Sequence, residues 1–137
     1  MIQIPKKVEY ALIALRHIAA QSNGSLVTAK ELAGRYHMPY DVLAKVLQRL
    51  AKEGLIASHQ GVHGGYTLAR RPSEIHVSEV FHVIEGKSVV TLIQCQAESP
   101  ENCSIHTTCT IKDPLVRIQG GINQMFEQMT VSEIVRG

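Results

Sequence analysis

Cysteine is nearly absent from this chain: the 137 residues hold three, all inside the stretch CQAESPENCSIHTTC that runs from Cys95 to Cys109. No C-x2-C pair occurs among them, which argues against a zinc ribbon or a thioredoxin-type redox motif, since both depend on that spacing. An odd set of three also makes a poor disulfide framework. No apolar run approaches the ~18 residues that a membrane span needs, and the N-terminal MIQIPKKVEYALIALRHIAA alternates faces instead of forming a signal-peptide core. Low-complexity tracts are missing. So are a Gly-rich nucleotide loop and a nucleophile paired with a base, which disfavours an enzyme such as a small thiol oxidoreductase. With 45% hydrophobic residues and mean hydropathy near zero, the expectation is a soluble, globular, cytoplasmic protein with one core.

Net charge is also low, at +2, but unevenly spread. Residues 1–71 carry ten Lys/Arg against four Asp/Glu, and residues 72–137 carry four against eight. A basic half points to a polyanionic partner if its cations share one face; a merely solvated surface is the plain alternative.

Val8, Ala11, Leu12, Leu15, Ile18 and Ala19 recur at helical spacing and stop before SNGS, predicting an amphipathic first helix. TAKELAGRY opens at Thr28 with Glu31 three residues on, the capping-box pattern, and sets Ala29, Leu32 and Ala33 on one face. Pro39 then suits a first helical turn, and Leu43, Val46, Leu47 and Leu50 form the buried stripe of a third helix that stops at Gly54. Two short helices so closely joined read as a helix-turn-helix. LIASHQGVHGGYTLARR follows as strand, turn and strand: Ile56 to His59 and Tyr66 to Ala69 alternate with period two, and Gly61, Gly64 and Gly65 supply the turn. A hairpin directly after a recognition helix is a wing; a three-helix domain with an incidental hairpin is the other reading. The outward face of the third helix favours the wing. Tyr40, Asp41, Ala44, Lys45, Gln48, Arg49 and Lys52 are largely the hydrogen-bonding and cationic types that read base edges and phosphates.

Beyond the cysteines, Asp113 suits an N-cap and Pro114 the first position of a long helix. Its stripe of Leu115, Ile118, Ile122, Met125, Phe126 and Met129 is too long for the small core left to it, so a second copy of the helix is the expected partner. Gly120 and Gly121 are expected to interrupt this helix, at a kink or where two dimer helices cross. Thr130 and Glu133 repeat the capping-box pattern for a short final helix.

KKVEYALIALRHIA, MPYDVLAKVLQRLAKEGLI, GVHGGYTLARRPSEIHVSEVFHVIEG, the cysteine loop and MTVSEIV, in that order over nearly the whole chain, resemble the Rrf2 family of bacterial winged-helix regulators. Its members include iron–sulfur, nitric oxide and cysteine regulators. The resemblance implies a mainly α fold with a small β-hairpin wing. It divides the chain into a winged helix-turn-helix over 1–86, a cluster-binding cysteine loop over 87–112, and a long dimerisation helix with a short C-terminal helix over 113–137. The implied function is that of a homodimeric transcriptional regulator, expected to repress. It would bind an operator in double-stranded DNA and sense redox, nitric oxide or iron–sulfur status through an iron–sulfur cluster of 2Fe-2S or 4Fe-4S type. The implied DNA contacts are Thr28, Tyr40, Asp41, Lys45, Gln48, Arg49 and Lys52, with Gln60, Val62, His63 and Arg70 at the wing. Two positions depart from the family pattern. Gln60 stands where the family's wing commonly carries arginine, removing one cation. Lys112 stands where iron–sulfur members carry a histidine three residues after the last cysteine, and a protonated lysine has no lone pair for a metal.

Thiolates are soft ligands suited to iron–sulfur clusters or zinc, and the C-x7-C-x5-C spacing lets one loop wrap one centre. Three thiolates leave a cluster one protein ligand short. Such a centre is more exposed and more easily attacked, which suits a sensor better than an electron carrier. The candidates for the fourth position are His106, within the loop, and Glu9, which matches an acidic residue in similar nitric-oxide-sensing members. Zinc held with His106, or three free thiols, are the alternatives without a cluster. His17 and His82 lie in amphipathic helices and read as packed or surface residues, His37 falls at the helix-turn-helix corner, and Met125 and Met129 read as packing residues.

Overall fold

A computed structural model describes residues 4–21, 24–86 and 112–136. The elements are α1 (Lys6–Ala20), α2 (Ala29–Tyr36), α3 (Tyr40–Lys52), the strands β1 (Ile56–His59) and β2 (Gly65–Leu68), a 3-10 turn at Pro72–Glu74, α4 (Val77–Glu85), α5 (Lys112–Gln128) and α6 (Val131–Arg136). This is the mainly helical winged helix-turn-helix that the periodicities predict, with one antiparallel hairpin.

α1 runs through the middle of the core. Val8, Ala11, Ala14, Leu15 and Ile18 turn inward from it, and α3, α4 and α6 pack around it. Leu32, Leu43, Leu47, Leu50 and Leu55 are fully enclosed in the same cluster. Each such side chain contributes about 1.5–3 kcal/mol through loss of apolar surface to water. His17 is buried too, with Nδ1 2.8 Å from the Tyr36 hydroxyl and Nε2 3.2 Å from a Glu31 carboxylate oxygen, so a polar brace joins α1 to α2.

The helix-turn-helix is set by its caps. Thr28 Oγ1 accepts the Glu31 N–H at 3.0 Å, as the capping-box pattern predicts. α2 ends at His37 in the left-handed region (φ 55°), after which Met38 drops into the core and Pro39 leads into α3. In the hairpin Ile56 pairs with Leu68 and His59 with Gly65. Val27, just before α2, bridges Tyr66 through two backbone hydrogen bonds of 3.1 and 2.8 Å, fixing the wing to the helix-turn-helix. Two glycines make the wing turn possible. Gly61 has φ 121°, and a Cβ on Gly64 would sit 2.6 Å from the His59 carbonyl oxygen.

The C-terminal helices return to this core. Phe126 of α5 stacks at a tilt on Phe81 of α4 with centroids 5.1 Å apart. The joint between α5 and α6 is pinned beside the start of α4: Val77 N–H donates to the Met129 carbonyl and Val131 N–H to the Ile75 carbonyl, both at 2.9 Å. The Glu133 N–H donates to Thr130 Oγ1 at 3.4 Å, in line with the second capping box.

Four sequence expectations need adjustment. α5 begins at Lys112, two residues before the expected first position at Pro114, because proline fits anywhere in a first turn whose N–H groups lack intrahelical partners. β2 likewise starts at Gly65, whose pairing with His59 extends it back by one residue. Gly120 and Gly121 do not interrupt α5, which is continuous to Gln128. A glycine costs a helix roughly 0.5–1 kcal/mol, and the packing of α5 on α4, with Phe126 on Phe81, holds the helix through the pair. Finally, the apolar stripe of α5 divides: Phe126 packs on the core, whereas Ile118 and Met125 stay 54% and 63% exposed and Met129 is exposed beside them.

Candidate nucleic-acid interface and cysteine loop

α3 presents two opposed faces. Leu43, Val46, Leu47 and Leu50 are buried, while Tyr40, Asp41, Lys45, Gln48, Arg49 and Lys52 are exposed and Ala44 is half-buried, the division that helical spacing predicts. The hairpin stands directly after this helix. Gln60, Val62 and His63 are exposed at its tip, Val62 at 98%. A fully exposed valine between two glycines is an apolar point that none of the described residues covers.

Three of the residues named for DNA contact also hold the frame together. Thr28 is committed to its cap. Arg49, though exposed, donates its Nε–H to the Val83 carbonyl at 3.1 Å and so ties α3 to α4. Arg70 forks onto Glu79, with Nη1 and Nη2 donating to the two carboxylate oxygens at 2.7 and 3.0 Å, and Nη2 also meets the Glu74 carbonyl. Glu79 in turn accepts the His76 N–H at 3.2 Å, so one carboxylate joins the wing base to the start of α4. The Arg70 hydrogen bond, above all, holds Glu79 below the usual carboxylate range; partial burial opposes it, and the His76 backbone N–H and nearby positive charge act with it. Sequence reasoning missed Glu79 and its role. The pattern was present, as His76 at an N-cap with Glu79 three residues on, but histidine is not among the usual N-cap types.

The structure places Glu9 on the first turns of α1, half-buried and paired with Lys6 at 3.1 Å. Cys95, Cys103, His106 and Cys109 lie outside the described residues, and so does the rest of 87–111. Among the described residues, no three His, Cys, Asp or Glu side chains converge as a metal site would require, and no helix is long and apolar enough to cross a membrane.

A family model for Rrf2, described as an iron-dependent transcriptional regulator, matches residues 4–137. The chain belongs to the Rrf2 family. Among the relatives of this Rrf2 protein, the transcriptional regulator NsrR of Shouchella clausii is 31% identical over 98% of this chain and 89% of its own length. NsrR of Halalkalibacterium halodurans is 28% identical over 98% and 90%. These relatives are transcriptional regulators, not enzymes, and this Rrf2 protein is a transcriptional regulator as well. Of solved structures, CymR, the global cysteine regulator of B. subtilis, matches with a TM-score of 0.78 at 22% identity, covering 99% of this chain and 98% of its own. IscR of T. potens matches at 0.73 and 23%, covering 98% and 87%. At those identities the likeness establishes the shared winged-helix fold.

Proposed function

We propose that this Rrf2 protein is a cytoplasmic homodimer that binds an operator in double-stranded DNA through α3 and the wing, represses from it, and reads redox, nitric oxide or iron–sulfur status through an iron–sulfur cluster. The outward face of α3 carries the DNA reading, because its cations and hydrogen-bonding groups stand clear of a continuous buried stripe and beside an exposed hairpin tip. Arg49 and Lys52 are assigned to phosphates, and Tyr40, Asp41, Lys45 and Gln48 to base edges. Gln60, Val62 and His63 are assigned to the neighbouring groove. Thr28 lies exposed at the α2 N-terminus, where a backbone phosphate is favoured; Arg70 serves by holding the wing against Glu79. Titration of the protein onto its operator at low and high salt tests this reading. Affinity should fall steeply with salt, and an affinity that does not change ends the assignment.

Cys95, Cys103 and Cys109 would hold the cluster, with Glu9 or His106 in the remaining position. The donor set fits, since three soft thiolates fall within fifteen residues and Glu9, among the described residues, is held by a weak surface pair with Lys6. When bound, the cluster would supply iron that exchanges electrons and takes small ligands. The absorption spectrum and the iron and sulfide content of anaerobically purified protein test it; bound zinc without visible colour would support the zinc-based alternative instead. The exposed apolar edge of α5, at Ile118 and Met125, with Met129 just past its end, supports a second copy as partner. The outward side of Gly120 and Gly121, where an added Cβ meets nothing within 4 Å, supports a close crossing there.

A further inference from the structure

Between the first turn of α1, α3 and the C-terminal end of α4 lies an open cleft of about 430 Å³. Five charged side chains line it: Lys7, Lys45 and Arg49, with Asp41 and Glu85. Its apolar surface comes from Val42, Val46 and Ile84. Asp41 and Lys45 are four apart on α3, the spacing at which helix ion pairs form. Yet the ion pairs among the described residues are Lys6–Glu9, His17–Glu31 and Arg70–Glu79, and none of Lys7, Asp41, Lys45 or Glu85 takes part. Both signs of charge are therefore left without a partner around one cleft. Arg49 differs in being anchored: its Nε is bound to the Val83 carbonyl, which orients the guanidinium and leaves its two terminal nitrogens for an outside acceptor. A fixed planar fork of donors is the geometry that takes a carboxylate in two parallel hydrogen bonds.

We infer that this cleft is a binding site for a free α-amino acid with an apolar side chain. Its carboxylate meets Arg49 with Lys45 or Lys7, its ammonium meets Asp41, with Glu85 adding negative charge nearby, and its side chain lies on Val42, Val46 and Ile84. A phosphate or a simple anion fits less well, because two carboxylates in the cleft repel it while giving an ammonium its counter-charge. The volume falls within the ~300–1,000 Å³ typical of small-molecule sites. Asp41, Lys45 and Arg49 also belong to the face assigned to DNA, so the bound amino acid competes with the operator; this consequence rests on the DNA reading proposed above, whereas the site itself does not.

The test uses the full chain without DNA, titrated with L-leucine by calorimetry and amide-resolved NMR. The comparators are 4-methylpentanoate, which lacks the ammonium, and 3-methylbutylamine, which lacks the carboxylate. Leucine is expected to bind with Kd of about 1 mM or tighter and each comparator about tenfold more weakly, with amide shifts centred on Val42, Ile84 and Gly86. Asp41→Asn and Arg49→Lys, both at exposed positions, should each weaken leucine while leaving helical content unchanged. No binding at about 10 mM leucine, equal binding of 4-methylpentanoate, or an Asp41→Asn variant that binds as the parent does would each overturn the site. In a second arm leucine is added to the protein–operator complex. Release of DNA supports the competition; leucine binding in the cleft without release overturns the placement of DNA on this face and leaves the amino-acid site standing.

Discussion

Single residues carry the chemistry here, and Glu79 shows how. Its carboxylate is held below the usual range by Arg70, so the folded protein binds this proton less readily than the unfolded chain does. The stabilisation is therefore complete above the ordinary carboxylate pKa and is lost as pH falls through the lowered folded value. Glu79→Gln is expected to destabilise by about 1 kcal/mol or less at neutral pH, the pair being partly exposed and screened. Urea unfolding should show that difference shrinking in acid. The cysteines act at the same scale. Each of Cys95→Ala, Cys103→Ala and Cys109→Ala should abolish visible absorption, because any one loss leaves two thiolates; two variants that keep iron and sulfide would refute a three-cysteine centre. Between the two candidates for the fourth position, Glu9 is the sharper choice, since ligation by it would tie the loop to α1 of the DNA-binding half. Glu9→Ala is expected to shorten cluster lifetime more than His106→Ala does in anaerobically reconstituted protein, and the reverse order would reject it.

At the scale of elements, α3 separates into tasks that mutation can read one by one. Arg49→Gln and Lys52→Gln should weaken binding to every DNA sequence and lower the salt slope by about one each, as loss of a phosphate contact does. Tyr40→Ala and Lys45→Ala should change sequence preference, measured by binding-site selection. A uniform loss from all four variants would return Tyr40 and Lys45 to the phosphate class. Arg49 has a second effect. Its bond to Val83 ties α3 to the end of α4, from which the chain runs into the cysteine segment, so its loss should also loosen protection of α3 amides in hydrogen exchange. The exposed face of α3 was legible from spacing alone. The Arg49 tether was not, because it joins residues 34 apart in the chain.

For the whole molecule, the homodimer proposed above makes the spacing of two reading helices decisive, since a dimer must match its half-sites. α5 supplies an exposed apolar edge at Ile118 and Met125, and its joint to α6 is hydrogen-bonded beside the start of α4, where Glu79 also meets the wing base. Contacts of α5 and of the wing thus converge on one helix terminus. Met125→Asp, at a 63% exposed position, should convert dimer to monomer in sedimentation without loss of helical content, and should weaken operator binding because the two half-sites are then bound separately. A variant that stays dimeric would place the interface elsewhere.

The sequence by itself determined which segments are helices and strands, which face of α1 and α3 is buried, and where the Thr28 and Thr130 caps and the wing turn lie. Those properties depend on neighbours within about one or two helical turns, so spacing and capping residues encode them directly. Tertiary structure alone decided that α5 continues through Gly120 and Gly121, that Arg70 is engaged by Glu79, that His17 braces Tyr36 and Glu31, and that unpaired charges from α1, α3 and α4 surround one cleft. Propensity favours a break at a glycine pair, but packing of the helix on α4 outweighs it. Likewise, the partner of a charged side chain is fixed by which distant segments the core brings together, and no local pattern records that distance.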